Sequence, residues 1–110
     1  MKKTPVVKIL QPSGILDKAN AAPLRQQIMN EVENGTDILL VDLKNVTFMD
    51  SAGLAGLVLA LKTVRAGGST MFLCSMSEPI KTLFELTNMN RVFQIYSTKD
   101  EFTKAIFLAQ

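Results

Sequence analysis

Histidine is absent from this chain of 110 residues, and cysteine occurs only once, at position 74. Without histidine, neither a Ser-His-Asp nor a Cys-His catalytic arrangement can form, and the commonest metal ligand is missing as well. A single cysteine cannot form an internal disulfide. These absences exclude most hydrolase mechanisms and predict no metal and no other cofactor. They also favour a cytoplasmic location, with Cys74 as a buried free thiol.

Long apolar segments are missing too. The run at residues 52–61 has about ten residues, roughly half of what a helix needs to cross a membrane. Lys62 and Arg65 follow that run, and the start of the chain, Lys2-Lys3 before Thr4-Pro5, has no apolar segment of the kind found in signal peptides. The sequence therefore predicts neither a membrane partner nor secretion.

Neither positive nor negative charge predominates in the chain. Twelve basic and ten acidic residues give a net charge of +2, and the basic residues are scattered rather than gathered into a stripe that could bind phosphates in a row. Nucleic acid is therefore not an expected partner. Hydrophobic residues make up 47% of the chain and charged residues 20%, which is typical of a globular protein. The length fits a single domain over residues 1–110, and nothing requires more than a monomer.

Hydrophobic patterning predicts strands that alternate with helices after an N-terminal hairpin. Strands are predicted at 5–10, 15–16, 37–43, 70–74 and 92–96, with a bend at residues 45–47. Helices are predicted at 20–34, from Ser51 to 67, from Ser77 to 88 and from Thr98 to Ala109. The expected fold class is α/β with α+β-like character: a single mixed β-sheet of about four to five strands with about four helices packed against it.

The polar pair Asp50-Ser51 stands at the head of the apolar run, where a strand-to-helix turn is predicted. The first N–H groups of a helix lack intrahelical partners, so Ser51 can serve simply as the helix cap, with Asp50 as a favourable charge beside it. The same N–H groups also suit a phosphate on Ser51, and Gly53 would let a partner's active site approach. The residues alone leave both interpretations open.

Three segments together resemble a known family. They are Phe48-Met49-Asp50-Ser51-Ala52-Gly53-Leu54, Gly14-Ile15-Leu16-Asp17, and the stretch from Ser77 to Thr87. In these segments, and along nearly the whole chain, the sequence is similar to STAS-domain anti-sigma-factor antagonists. The resemblance implies a STAS fold over residues 1–110.

The resemblance also implies a partner switch. In that family the serine after the aspartate, here Ser51, is phosphorylated by an anti-sigma factor that is also a serine/threonine kinase, and a PP2C-type phosphatase removes the phosphate. The unphosphorylated antagonist binds the kinase, which then releases its sigma factor.

This chain is accordingly expected to be a substrate and a binding module, not an enzyme. The expected partner-binding residues are Asp17, Met49, Asp50, Ser51, Ala52, Gly53 and Leu54. Many family members carry a second hydroxyl residue where this chain has Ala52, so Ser51 is the only hydroxyl in the turn.

Several alternatives stay open at this point. The chain could be a stand-alone STAS module in another signalling or transport-regulatory complex, without control of a sigma factor. An enzyme that uses Ser51 as nucleophile is disfavoured, because there is no histidine base and no visible oxyanion-stabilising group. Asp17 is interpreted either as part of the kinase-facing surface or as the cap of the first helix. Thr47 is a weaker second candidate for phosphorylation.

Overall fold

The computed structural model describes residues 4–108. The predictions that involved Lys2, Lys3 and Ala109 lie outside this range. The strands are β1 (Val7–Leu10), β2 (Ser13–Leu16), β3 (Ile38–Asp42), β4 (Asn45–Met49), β5 (Thr70–Cys74) and β6 (Gln94–Tyr96). The α-helices are α1 (Lys18–Glu33), α2 (Ser51–Ala66), α3 (Glu78–Leu86) and α4 (Lys99–Leu108), and a short 3₁₀ helix covers Met89–Arg91.

The strands form a four-stranded sheet in the order β1-β3-β5-β6 and a two-stranded sheet of β2 and β4. Strand β3 lies inside the larger sheet, and its residues Leu39, Leu40 and Val41 are fully buried. Burial of both faces explains why the strand is a continuous apolar run without alternation. The predicted α/β class, with helices packed on a sheet, is confirmed.

The predicted pairing of the strands needs correction. Strands β1 and β2 do not form a hairpin, because β1 pairs with β3 and β2 pairs with β4. Gln11 and Pro12 connect the two strands, and the partners of each strand are set by contacts distant in sequence. The bend predicted at residues 45–47 is part of strand β4. In place of a single mixed sheet there are thus two, and every described strand pairing is parallel.

The helices lie on opposite faces of the larger sheet. Side chains alternate along β3, so Leu39 and Val41 pack into the core formed with α1, α2 and α3. Leu40 points the other way and packs with Phe72 and with Phe102 of α4. Helix α4 is therefore separated from α1 and α2 by the sheet.

The single thiol lies in the smaller core. Cys74 is free and fully buried, as expected from the sequence. Burial is the largest influence on its pKa, which is raised because the interior disfavours the thiolate. Cys74 is accordingly held as an unreactive thiol.

Helix starts follow the sequence with small differences. Helix α1 begins at Lys18, so Pro23 lies inside the helix rather than in its first turn. Ser77 directly precedes α3 as predicted, although its side chain makes no capping hydrogen bond. Thr98 caps α4, since its hydroxyl oxygen accepts from the Glu101 N–H at 3.1 Å. Within residues 4–108, none of the helices combines the length and the apolar character that crossing a membrane requires.

Candidate functional site at the start of helix α2

Two strand-to-helix units stand side by side at the candidate site. Strand β2 leads into α1 and strand β4 leads into α2, and the parallel register sets Leu16 beside Met49. Asp17 and Asp50 therefore follow at neighbouring positions. Together with Lys18, Ala19 and Ala22 of α1, these two aspartates line an open cleft. The predicted phosphorylation turn and the start of α1 thus form one surface.

Both aspartates act as helix caps. The Asp17 Oδ1 atom accepts a hydrogen bond from the Asn20 N–H at 3.0 Å, and the Asp50 Oδ1 atom accepts one from the Gly53 N–H at 2.8 Å. Each carboxylate also places negative charge at the positive end of a helix dipole. The capping role of Asp17, one of its two interpretations from sequence, is confirmed.

Ser51 is not the cap of α2. It is the first residue of the helix, it is exposed, and no hydrogen bond within residues 4–108 involves its hydroxyl. The interpretation of Ser51 as a helix cap was wrong, because Asp50 already occupies the capping position. The hydroxyl is accordingly available to a partner molecule.

Gly53 has a different role from the one expected. It is buried, and a Cβ atom at this position would overlap the carbonyl oxygen of Leu16 and lie 2.7 Å from the Leu16 carbonyl carbon. The missing side chain lets α2 begin directly against strand β2. Gly53 therefore serves packing inside the molecule, and it does not open a path for a partner's active site.

The other predicted partner-binding residues divide by exposure. Ser51 and Ala52 are exposed, and Asp17 and Asp50 are partly exposed. The remaining three residues, Met49, Gly53 and Leu54, are buried. The side chains of Met49 and Leu54 belong to the main core. These buried residues support the turn from beneath, and the first four form its accessible surface.

Lys18 is a charged residue of this site that the sequence reasoning missed. It lines the same cleft as Asp17 and Asp50. Its position in the sequence could have indicated this role, because Lys18 follows Asp17 just as Ser51 follows Asp50. Lys18 adds a positive charge to a cleft that otherwise carries two carboxylates.

The chemistry available at the site is limited. Within the described part of the chain, no group of three or more histidine, cysteine, aspartate or glutamate side chains could hold a metal ion. The carboxylate beside Ser51 is that of Asp50, and it accepts a hydrogen bond from the Gly53 N–H. Thr47 is exposed on β4 and stays a second candidate for phosphorylation.

Removing the cap should destabilise the fold measurably. We expect Asp50→Ala to lower the free energy of unfolding by about 1 kcal/mol, because the Gly53 N–H loses its acceptor. Asp50→Asn keeps an acceptor oxygen and should lose much less. Urea denaturation of the three proteins measures both effects, and equal losses for the two variants would contradict the capping role.

The chain is similar to known proteins along most of its length. The family model described as "STAS domain" matches residues 1–102. The anti-sigma-B factor antagonist of Bacillus subtilis is 35% identical over 89 residues, which cover 81% of this chain and 80% of that protein.

Solved structures agree in fold. The crystal structure of an anti-sigma factor antagonist from Mycobacterium paratuberculosis superposes with a TM-score of 0.79 at 24% identity, covering 94% of this chain and 88% of that one. The Bacillus cell fate determinant SpoIIAA, in its phosphorylated form, gives a TM-score of 0.69 at 16% identity, with 96% of each chain covered. At these identities the two likenesses concern the fold alone.

Proposed function

The chain belongs to the family of STAS-domain anti-sigma-factor antagonists, and from this premise we propose that it works as a partner switch operated through Ser51. In the unphosphorylated form it binds an anti-sigma factor that is also a serine/threonine kinase, and the sigma factor is released. Phosphorylation of Ser51 ends that binding. A PP2C-type phosphatase restores the active form.

The observation that carries this proposal is the position of the Ser51 hydroxyl. It is exposed and without a hydrogen bond in the described part of the chain, yet it stands on a helix whose opposite face is buried. A kinase needs a hydroxyl that it can reach and that stays in one place. The buried Leu54 and Leu57 hold the helix, while Asp50 uses its own carboxylate for the cap and leaves the serine free.

Charge explains how one phosphate can act as a switch. A phosphoserine carries about −1.5 to −2 charges at neutral pH. On Ser51 this charge would join Asp17 and Asp50 at the rim of one cleft, with Lys18 as the cation lining it. The start of a helix suits a phosphate, because the first N–H groups lack intrahelical partners and the helix dipole favours negative charge there. Phosphorylation thus changes the charge of this surface strongly.

The same proposal covers the protein's catalytic role, location, oligomeric state and partners. The protein acts as a substrate and a binding module and performs no catalysis of its own. It works in the cytoplasm as a monomer, with protein partners and with neither nucleic acid nor membrane as a ligand. The scattered basic residues and the small net charge of +2 support this choice of partners.

Phosphosite mapping tests the assignment. After incubation with the cognate kinase and ATP, mass spectrometry should find a single phosphate, on Ser51. Thr47→Ala should be phosphorylated like the wild type, and Ser51→Ala should remain unmodified. Phosphate on Thr47, or continued phosphorylation of Ser51→Ala, would overturn the assignment.

A further inference from the structure

The strand that leads to Ser51 contains an irregularity. Its register with β2 runs from Gly14 opposite Val46 directly to Ile15 opposite Phe48, so Thr47 has no partner. Gly14 has a φ of 79°, a backbone conformation that glycine adopts without strain. The result is a β-bulge at Thr47, which precedes Ser51, the candidate phosphorylation site, in the sequence.

The bulge decides which side chains face solvent. Side chains alternate along a regular strand, so with Val46 buried Phe48 would be buried as well. The extra residue reverses the alternation. Met49 is buried instead, and Phe48 is turned outward with 53% of its surface exposed. Its paired residue Ile15 is 50% exposed.

Two paired apolar side chains thus form the outer face of the small sheet, and we refer to Ile15 and Phe48 as the apolar platform. The outer face of a sheet ordinarily carries polar residues, and paired apolar ones there indicate a contact surface. Phe48 is three residues before Ser51, and Ile15 is two residues before Asp17. The platform is therefore continuous with the surface that carries the Ser51 hydroxyl.

We infer that the apolar platform is the docking site for the kinase that phosphorylates Ser51, and that it inserts into an apolar pocket next to the kinase's phosphate-transfer site. This inference rests on the proposed function. The platform supplies affinity in both phosphorylation states, and the charge on Ser51 decides whether that affinity is sufficient. Aromatic side chains buried at the centre of an interface are the usual source of binding energy.

Charge argues for this occupant over a second copy of the chain. Two copies that met symmetrically at the platform would bring both pairs of Asp17 and Asp50 carboxylates close together. A kinase that reaches the Ser51 hydroxyl must come close to Phe48, which is only three residues earlier in the chain. We therefore expect the kinase's contact surface to be apolar where it meets the platform.

Calorimetric titration of the full chain with the cognate kinase tests the inference. Phe48→Ala should bind at least about tenfold more weakly than the wild type, and Ile15→Ala should weaken binding in the same direction. Phe48→Leu keeps an apolar side chain and should retain more affinity than Phe48→Ala. In steady-state phosphorylation of Ser51, Phe48→Ala should raise KM and leave kcat nearly unchanged, because the hydroxyl itself is untouched.

Phe107 provides a matched control. It is 54% exposed, but it lies on α4, on the far side of the large sheet. Phe107→Ala should bind the kinase like the wild type, and thermal unfolding should show that each variant is folded. Unchanged kinase affinity in Phe48→Ala, or an equal loss in Phe107→Ala, would overturn the inference.

Two further outcomes are separable. If sedimentation showed a wild-type dimer that Phe48→Ala dissociates, with unchanged kinase affinity, the platform would be a self-association surface and the inference would be wrong. If the wild type neither bound the kinase nor was phosphorylated on Ser51, the proposed function would fail and the docking role with it. If the wild type is phosphorylated on Ser51 and Phe48→Ala binds the kinase as tightly as the wild type, only the docking role of the platform is wrong.

Discussion

Ser51→Ala should bind the kinase with full affinity and remain bound when ATP is added, whereas Ser51→Asp should bind at least about tenfold more weakly. Alanine removes the phosphate acceptor without adding charge. Aspartate adds a permanent negative charge directly after Asp50, which lines the cleft together with Asp17. Titration calorimetry with and without ATP measures both effects.

The control for this experiment is a negative charge introduced on a part of the surface away from Ser51. Thr103 is exposed on α4, and Thr103→Asp adds the same charge away from the cleft. It should bind like the wild type. If Thr103→Asp weakened binding as much as Ser51→Asp, net charge would explain the effect and the position of Ser51 would not matter.

Gly53→Ala should lower the free energy of unfolding by about 3 kcal/mol, at the upper end of the usual cost of overpacking. Glycine to alanine inside a helix ordinarily stabilises a protein by up to about 1 kcal/mol. Here the new methyl group would overlap the carbonyl oxygen of Leu16, which is backbone and cannot rotate away. Helix α2 must therefore move off strand β2, and urea denaturation should record the loss.

Gly67 at the other end of α2 is the matched position. A Cβ atom there would lie 2.5 Å from the Cγ1 methyl of the partly exposed Val32 side chain, so the close contact is with a side chain and not with the backbone. Gly67→Ala should therefore cost clearly less than Gly53→Ala. Equal costs, or a Gly53→Ala protein as stable as the wild type, would contradict the close approach of α2 to Leu16.

The parts of the fold that the sequence predicts are those encoded locally. The continuous apolar run at 38–41 identifies a strand buried on both faces, and the Thr98 cap marks the start of α4. The partners of a parallel strand are set by contacts distant in sequence. The sequence therefore suggested a hairpin of β1 and β2, and it did not reveal that β2 pairs with β4.

In the candidate site, too, some features are encoded locally and others depend on contacts distant in sequence. Asp50 and Ser51 are both good capping residues, so local preference cannot choose between them. The choice follows from pairing with β2, because Asp50 continues the strand and its N–H donates to the Leu16 carbonyl oxygen at 3.4 Å. The helix then begins at Ser51. Nothing local could show that Gly53 faces Leu16 or that a bulge turns Phe48 outward.

The central claim is that a phosphate on Ser51 controls binding of the kinase. The most direct test prepares one batch of the protein, phosphorylates half of it fully on Ser51, and titrates both halves against the kinase. The unphosphorylated half should bind, and the phosphorylated half should bind at least about a hundredfold more weakly, a difference of about 2.8 kcal/mol. Equal affinities of the two halves would contradict the account.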